Sequence, residues 1–211
     1  MPLLTAAEET ALSPTFGHGL KRAADALAEM TGHDIIVAAP SVRLCAAAEV
    51  IAMAGGPDAI VVGIYLGIGG SLTGHALLML PPDGAHHLAQ ILTDGMAQPD
   101  AGDGIADPLV FDALAISALQ EVGNVMISAF LNELGMHLTE PVMPSVPQAV
   151  VEMAGAILDA VLVDLSMAGD SLLAARAAFI DGDDSIEGTL LVLPRAESLG
   201  TLLRVLGVDG Q

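Results

Sequence analysis

Ser117, Glu121, Asn124 and Ser128 recur at spacings of four, three and four residues. At about 100° per residue, such spacings put all four in one narrow stripe of an α-helix. The stripe combines a carboxylate, a carboxamide and two hydroxyls. A carboxylate accepts hydrogen bonds and attracts cations. A carboxamide both donates and accepts, so it can fix the position of a small molecule such as water. On spacing alone, the stripe is the solvated face that most surface helices carry. The Gly123–Asn124 pair sets it apart, because Gly costs about 1 kcal/mol relative to Ala inside a helix and Asn is also a poor helix former. One reason for such a pair is close approach by the backbone of another protein.

The helix that must carry this stripe begins well at Asp107–Pro108, with an acceptor at the N-cap followed by Pro at the first helical position. It runs through Leu134 and ends at Gly135. Leu114, Ala118, Leu119, Val122, Val125, Met126, Ala129 and Phe130 cover its remaining sides. That distribution predicts a helix buried on most sides with a thin polar strip facing out.

An internal repeat places this helix in a larger frame. Gly63–Leu92 and Arg176–Leu206 each read as strand, turn, strand ending in Leu-Pro, then helix. Upstream, Ala26–Val42 and Phe130–Val146 each read as a helix end, a Gly near the C-cap and a short extended run. These features predict one α/β domain over residues 1–211, with pseudo-repeats at about 12–94 and 107–206. The hairpins make its sheet largely antiparallel, with helices packed on it. The segment Gly95–Gly104 reads as a loop between the halves, and Gly207–Gln211 as a frayed end.

Composition excludes several classes of function. The 211 residues are 53% hydrophobic but 2% aromatic, and carry a formal net charge of −20. A nucleic-acid backbone would be repelled, and base-stacking side chains are nearly absent. Anionic membrane surfaces are disfavoured for the same reason. Ala59–Leu80 has no Asp, Glu, Lys or Arg and could span a bilayer by length. Its counterpart in the second repeat carries Asp181, Asp183, Asp184 and Glu187, so both read as buried strands rather than membrane spans. The single cysteine, Cys45, stands next to three alanines and reads as an apolar filler. No intramolecular disulfide is possible, and with no basic leader at the N-terminus a cytoplasmic location is expected.

Other constellations carry less. His86–His87 are adjacent and cannot share a helix face, which makes them a poor metal pair and a surface feature. Gly67–Ser71 (GIGGS) lacks the Gly-Lys-Ser/Thr ending of a phosphate loop. It and Asp181–Ser185 read as hairpin turns. No Gly-x-Ser-x-Gly elbow occurs, and the ten methionines read as core filler.

The run Ser117-Ala-Leu-Gln-Glu121-Val-Gly-Asn124, the piece EVGNV and the downstream PSVPQAVVEMAGAILDAVL (Pro144–Leu162) resemble the CheC family of chemotaxis phosphatases. With the repeat, the resemblance covers nearly the whole chain. It implies hydrolysis of the aspartyl phosphate of a CheY-type response regulator. Asn124 would orient the attacking water, Glu121 would bind the receiver's active-site lysine, and Ser117 would support the helix face or the contact. Mg²⁺ would be supplied by the receiver, so no cofactor of the chain's own is expected. The resemblance also implies an alternative, an adaptor that binds the receptor deamidase CheD or the flagellar switch. Many CheC proteins carry a second site in the first half. Here Pro14 and Gly17 stand where its Glu and Asn would be, so one active site is expected. The same Pro and glycines predict that the first helix starts late, near Gly19 or Leu20.

Overall fold

The computed structural model of the chain describes residues 6–96, 109–138, 141–164, 172–181 and 184–205. The first half contributes α1 (Ala6–Thr31), β1 (Ile35–Cys45), α2 (Ala47–Met53), β2 (Ile60–Gly70), β3 (Gly74–Leu80) and α3 (Pro82–Leu92). The second contributes α4 (Ala113–Gly135), β4 (Val142–Pro144), β5 (Gln148–Met153), α5 (Ala154–Asp164), β6 (Leu172–Asp181), β7 (Asp184–Pro194) and α6 (Ala196–Val205).

The strands form one seven-stranded sheet in the order β1-β6-β7-β3-β2-β4, with β5 also paired to β2. Every pairing among the described residues is antiparallel. The expected strand–turn–strand–helix units are present as β2-β3-α3 and β6-β7-α6. Each half lends its outer strand to the other: β1 pairs with β6, while β4 and β5 pair with β2. The hairpins meet at the centre, where Leu78 faces Leu190. The uncharged stretch Ala59–Leu80 is thus two interior strands.

Alternation along β3 feeds two cores. Ala76, Leu78 and Leu80 join Phe16, Leu20, Leu27, Ile64 and Phe130 beneath α1 and α4. Leu77 and Met79 join Val50, Ile157, Leu158 and Leu191 beneath α2 and α5. A strand buried on both faces is apolar throughout, which is why this stretch imitates a membrane segment.

Three local expectations are corrected. First, α1 does not wait for Gly19; it begins at Ala6 and runs through Pro14. An internal Pro costs about 3 kcal/mol. Burial of Phe16, Leu20, Ala23 and Leu27 outweighs that cost, since each large apolar side chain buried contributes about 1.5–3 kcal/mol. Gly19 is a packing residue, because a Cβ there would stand 2.7 Å from the Phe130 ring. Second, Gly67–Gly70 is not a turn. It continues β2, because Ile68, Gly69 and Gly70 pair with β4, and the turn comes at Ser71–Thr73. Third, His86 is half-buried rather than a simple surface residue, and its ring stacks on Phe111 with centroids 3.9 Å apart. Of the remaining expectations, those on Asp107 and Pro108 themselves, most of the inter-repeat loop, Asp183, the tail and the Cys45 side chain fall outside the described residues.

Candidate functional site

The candidate stripe lies on α4. Asp112 caps this helix, its Oδ1 accepting the Ala115 N–H at 2.6 Å. The helix therefore starts five residues after the expected Asp107. It ends at Gly135 as expected, although Met136 follows in right-handed helical geometry. Leu119, Val122, Met126, Ile127, Phe130, Leu131 and Leu134 are buried. Phe130 meets Phe16 of α1 edge-on, with centroids 5.3 Å apart. His86 of α3 holds Phe111, one residue before the cap. The helix is therefore fixed along its length and at its start.

Gly123 faces the sheet. A Cβ there would collide with Ile64 Cγ2 and stand 3.0 Å from Ile64 Cβ. The mid-helix Gly is accordingly not an opening for another protein's backbone. It lets α4 sit close to β2, and so sets the height at which the neighbouring Asn124 stands.

The stripe itself faces outward. Ser117 and Glu121 are exposed, while Asn124 and Ser128 are partly buried. Ser117 Oγ donates to the Ala113 carbonyl at 2.8 Å, so its hydroxyl is engaged by its own helix. Among the described residues, neither Glu121 nor Asn124 makes a side-chain hydrogen bond or ion pair. Residues three apart on a helix have Cβ atoms about 5–6 Å apart, so this carboxylate and carboxamide can engage one bound partner together. Glu121 is also the sole charged residue between Ala113 and Asn132.

The arrangement can hold a cation at the carboxylate and, beside it, a water or another small polar group at the amide. Among the described residues, no group of three or more His, Cys, Asp or Glu is placed to hold a metal. On α1, Pro14 is exposed and Gly17 half-buried, with open space around the position of a Gly17 Cβ. Neither can supply a carboxylate or an amide.

Sequence reasoning missed the His86–Phe111 stack that fixes the entry to α4. Its only sequence signal is a lone aromatic just before the helix. It also counted Leu114 among the covering apolar residues, whereas Leu114 is 44% exposed.

No protein-family model matches the chain. The chain is 27% identical over 193 residues, 90% of each sequence, to the CheY-P phosphatase CheC of Bacillus subtilis (strain 168). Its fold is similar to that of Thermotoga maritima FliY, with a TM-score of 0.76, 16% identity and 98% of both chains covered. A chain of the CheX-CheY-BeF3-Mg complex from Borrelia burgdorferi aligns with a TM-score of 0.51 and 17% identity. That alignment covers 84% of this chain and 95% of the other.

Proposed function

We propose that the chain, 27% identical to a CheY-P phosphatase over 90% of both sequences and similar in fold to FliY, is a member of the CheC/CheX/FliY superfamily and accelerates hydrolysis of the aspartyl phosphate on a CheY-type response regulator. One observation carries the reading. An accessible carboxylate and a partly buried amide, Glu121 and Asn124, stand side by side on a rigidly held helix, in a chain similar to a CheY-P phosphatase.

The chemistry asks little of the protein. An acyl phosphate is labile, and phosphoryl transfer is governed by positioning and electrostatics. The Asn124 amide holds a water in line with the phosphorus. The water oxygen forms the new P–O bond as the bond to the receiver's aspartate breaks. The products are inorganic phosphate and a free carboxylate. Glu121 takes the ammonium of the receiver's active-site lysine and so fixes the approach. Ser117, bonded back to Ala113, supports the helix face. Mg²⁺ comes with the receiver. Since α1 offers neither a carboxylate nor an amide at Pro14 and Gly17, one site acts.

Phosphate release from a phosphorylated CheY-type receiver of the same organism tests this, with and without the protein. Acceleration that disappears in both Glu121→Ala and Asn124→Ala is the expected result. No acceleration with any such receiver would overturn the reading.

The Pro and Gly at positions 14 and 17, where a second site would need a carboxylate and an amide, favour a second reading, an adaptor that binds CheD or the flagellar switch. Capture of purified CheD by both wild type and Asn124→Ala, with no phosphatase activity in either, would favour it.

A further inference from the structure

We infer that Leu114 is an apolar anchor for the phosphorylated receiver; this inference rests on the receiver-phosphatase reading and deepens it.

Leu114 precedes Glu121 by seven residues, or two helical turns, and shares its face about 10 Å away. It precedes Asn124 by ten residues, about 15 Å. It is 44% exposed on a helix whose other large leucines, Leu119, Leu131 and Leu134, are fully buried. Leu109 and Val110, 41% and 38% exposed, lead into the same end of α4. The stacked pair of His86 and Phe111 holds that lead-in against α3.

The receiver-phosphatase reading supplies the occupant, and the distribution of charge leaves this strip open to it. The chain carries 26 acidic residues against 6 basic ones, so most of its surface repels an anion. A receiver bearing an aspartyl phosphate gains negative charge. From Ala113 to Asn132 the helix bears no charge but Glu121, a strip about 28 Å long at 1.5 Å per residue. Interface cores are depleted of charge and rely on a few desolvated anchors. A standard footprint of about 800 Å² is about 30 Å across, enough to cover Leu114, Glu121 and Asn124 together. Aromatic side chains, the usual anchors, are scarce: the chain has no Trp, and its single Tyr, Tyr65, is partly buried against the core beneath α2 and α5, on the other face of the sheet. The exposed leucine on the catalytic face takes that place.

The test is binding of a CheY-type receiver held in its activated form by Mg²⁺ and beryllofluoride, alongside turnover of the phosphorylated receiver. Leu114→Glu is expected to weaken binding at least tenfold and Leu114→Ala about fivefold. Both should raise KM with little change in kcat and no loss of thermal stability. Val163→Glu, at a 78% exposed site on α5 across the sheet, is the control and should bind as wild type does. Wild-type affinity in Leu114→Glu, with catalysis intact, overturns the anchor and leaves the phosphatase reading standing. A lowered Tm with unchanged affinity shows that the leucine is covered by its own chain, and also overturns it. If the wild type neither binds nor dephosphorylates any receiver, the phosphatase reading fails and the anchor falls with it.

Discussion

At the residue scale, the proposed function rests on two side chains with different duties. Asn124→Ala removes the group proposed to position the water and leaves the docking carboxylate in place. Turnover is expected to fall about a hundredfold while the beryllofluoride-loaded receiver still binds. Glu121→Ala removes the proposed cation contact, so KM should rise and kcat fall together, as steady-state phosphate release would record. Ser117→Ala should change little, because its hydroxyl is engaged with the Ala113 carbonyl rather than held ready for a partner. The Ser-x₃-Glu-x₂-Asn spacing made all three residues legible in the sequence. Which of them is accessible was not, since a helical stripe has the same spacing whether it faces water or a neighbour.

At the element scale, α4 is the positioning device. Its N-cap bond from Asp112 is short, and Asp112→Ala should cost about 1 kcal/mol in denaturant-monitored unfolding. Gly123→Ala sets two effects against each other. Ala is the better helix former by about 1 kcal/mol. The added methyl, however, meets the β-branched Ile64 side chain directly, and overpacking of that kind costs about 1–3 kcal/mol. Net destabilisation is expected, together with reduced turnover as Asn124 is lifted from its place. A net gain in stability would show that β2 yields. Pro14 in α1 belongs to the same scale. Read locally, it ends a helix; within the fold, the apolar face of α1 carries the chain through it.

At the scale of the whole molecule, the two halves are joined by exchanged strands and by the contact between α1 and α4. That contact includes a partly exposed ion pair, from the exposed Arg22 to the largely covered Glu133 at 3.6 Å, and the buried Phe16–Phe130 pair. Exposed pairs contribute at most about 1 kcal/mol. Truncating a buried Phe to Ala costs about 3–5 kcal/mol. Phe130→Ala should therefore lower the stability of the whole domain in a single cooperative transition, and Arg22→Ala should barely change it. Separate transitions for the two halves in Phe130→Ala would mean that the exchanged strands do not bind them into one unit.

The sequence by itself determined the hairpins, the strand–turn–strand–helix units and the polar stripe, because periodicity and turn residues act over a few neighbours. It also set the net charge of −20, which disfavours an anionic partner at long range. Only the tertiary structure decided that α1 runs through Pro14, that GIGGS continues a strand, and that Gly123 faces Ile64 instead of a partner. Each of these outcomes is settled by a group distant in sequence: the sheet beneath α1, the pairing of β4 with β2, and the Ile64 side chain. Local propensities of about 1–3 kcal/mol give way when burial on such a partner exceeds them.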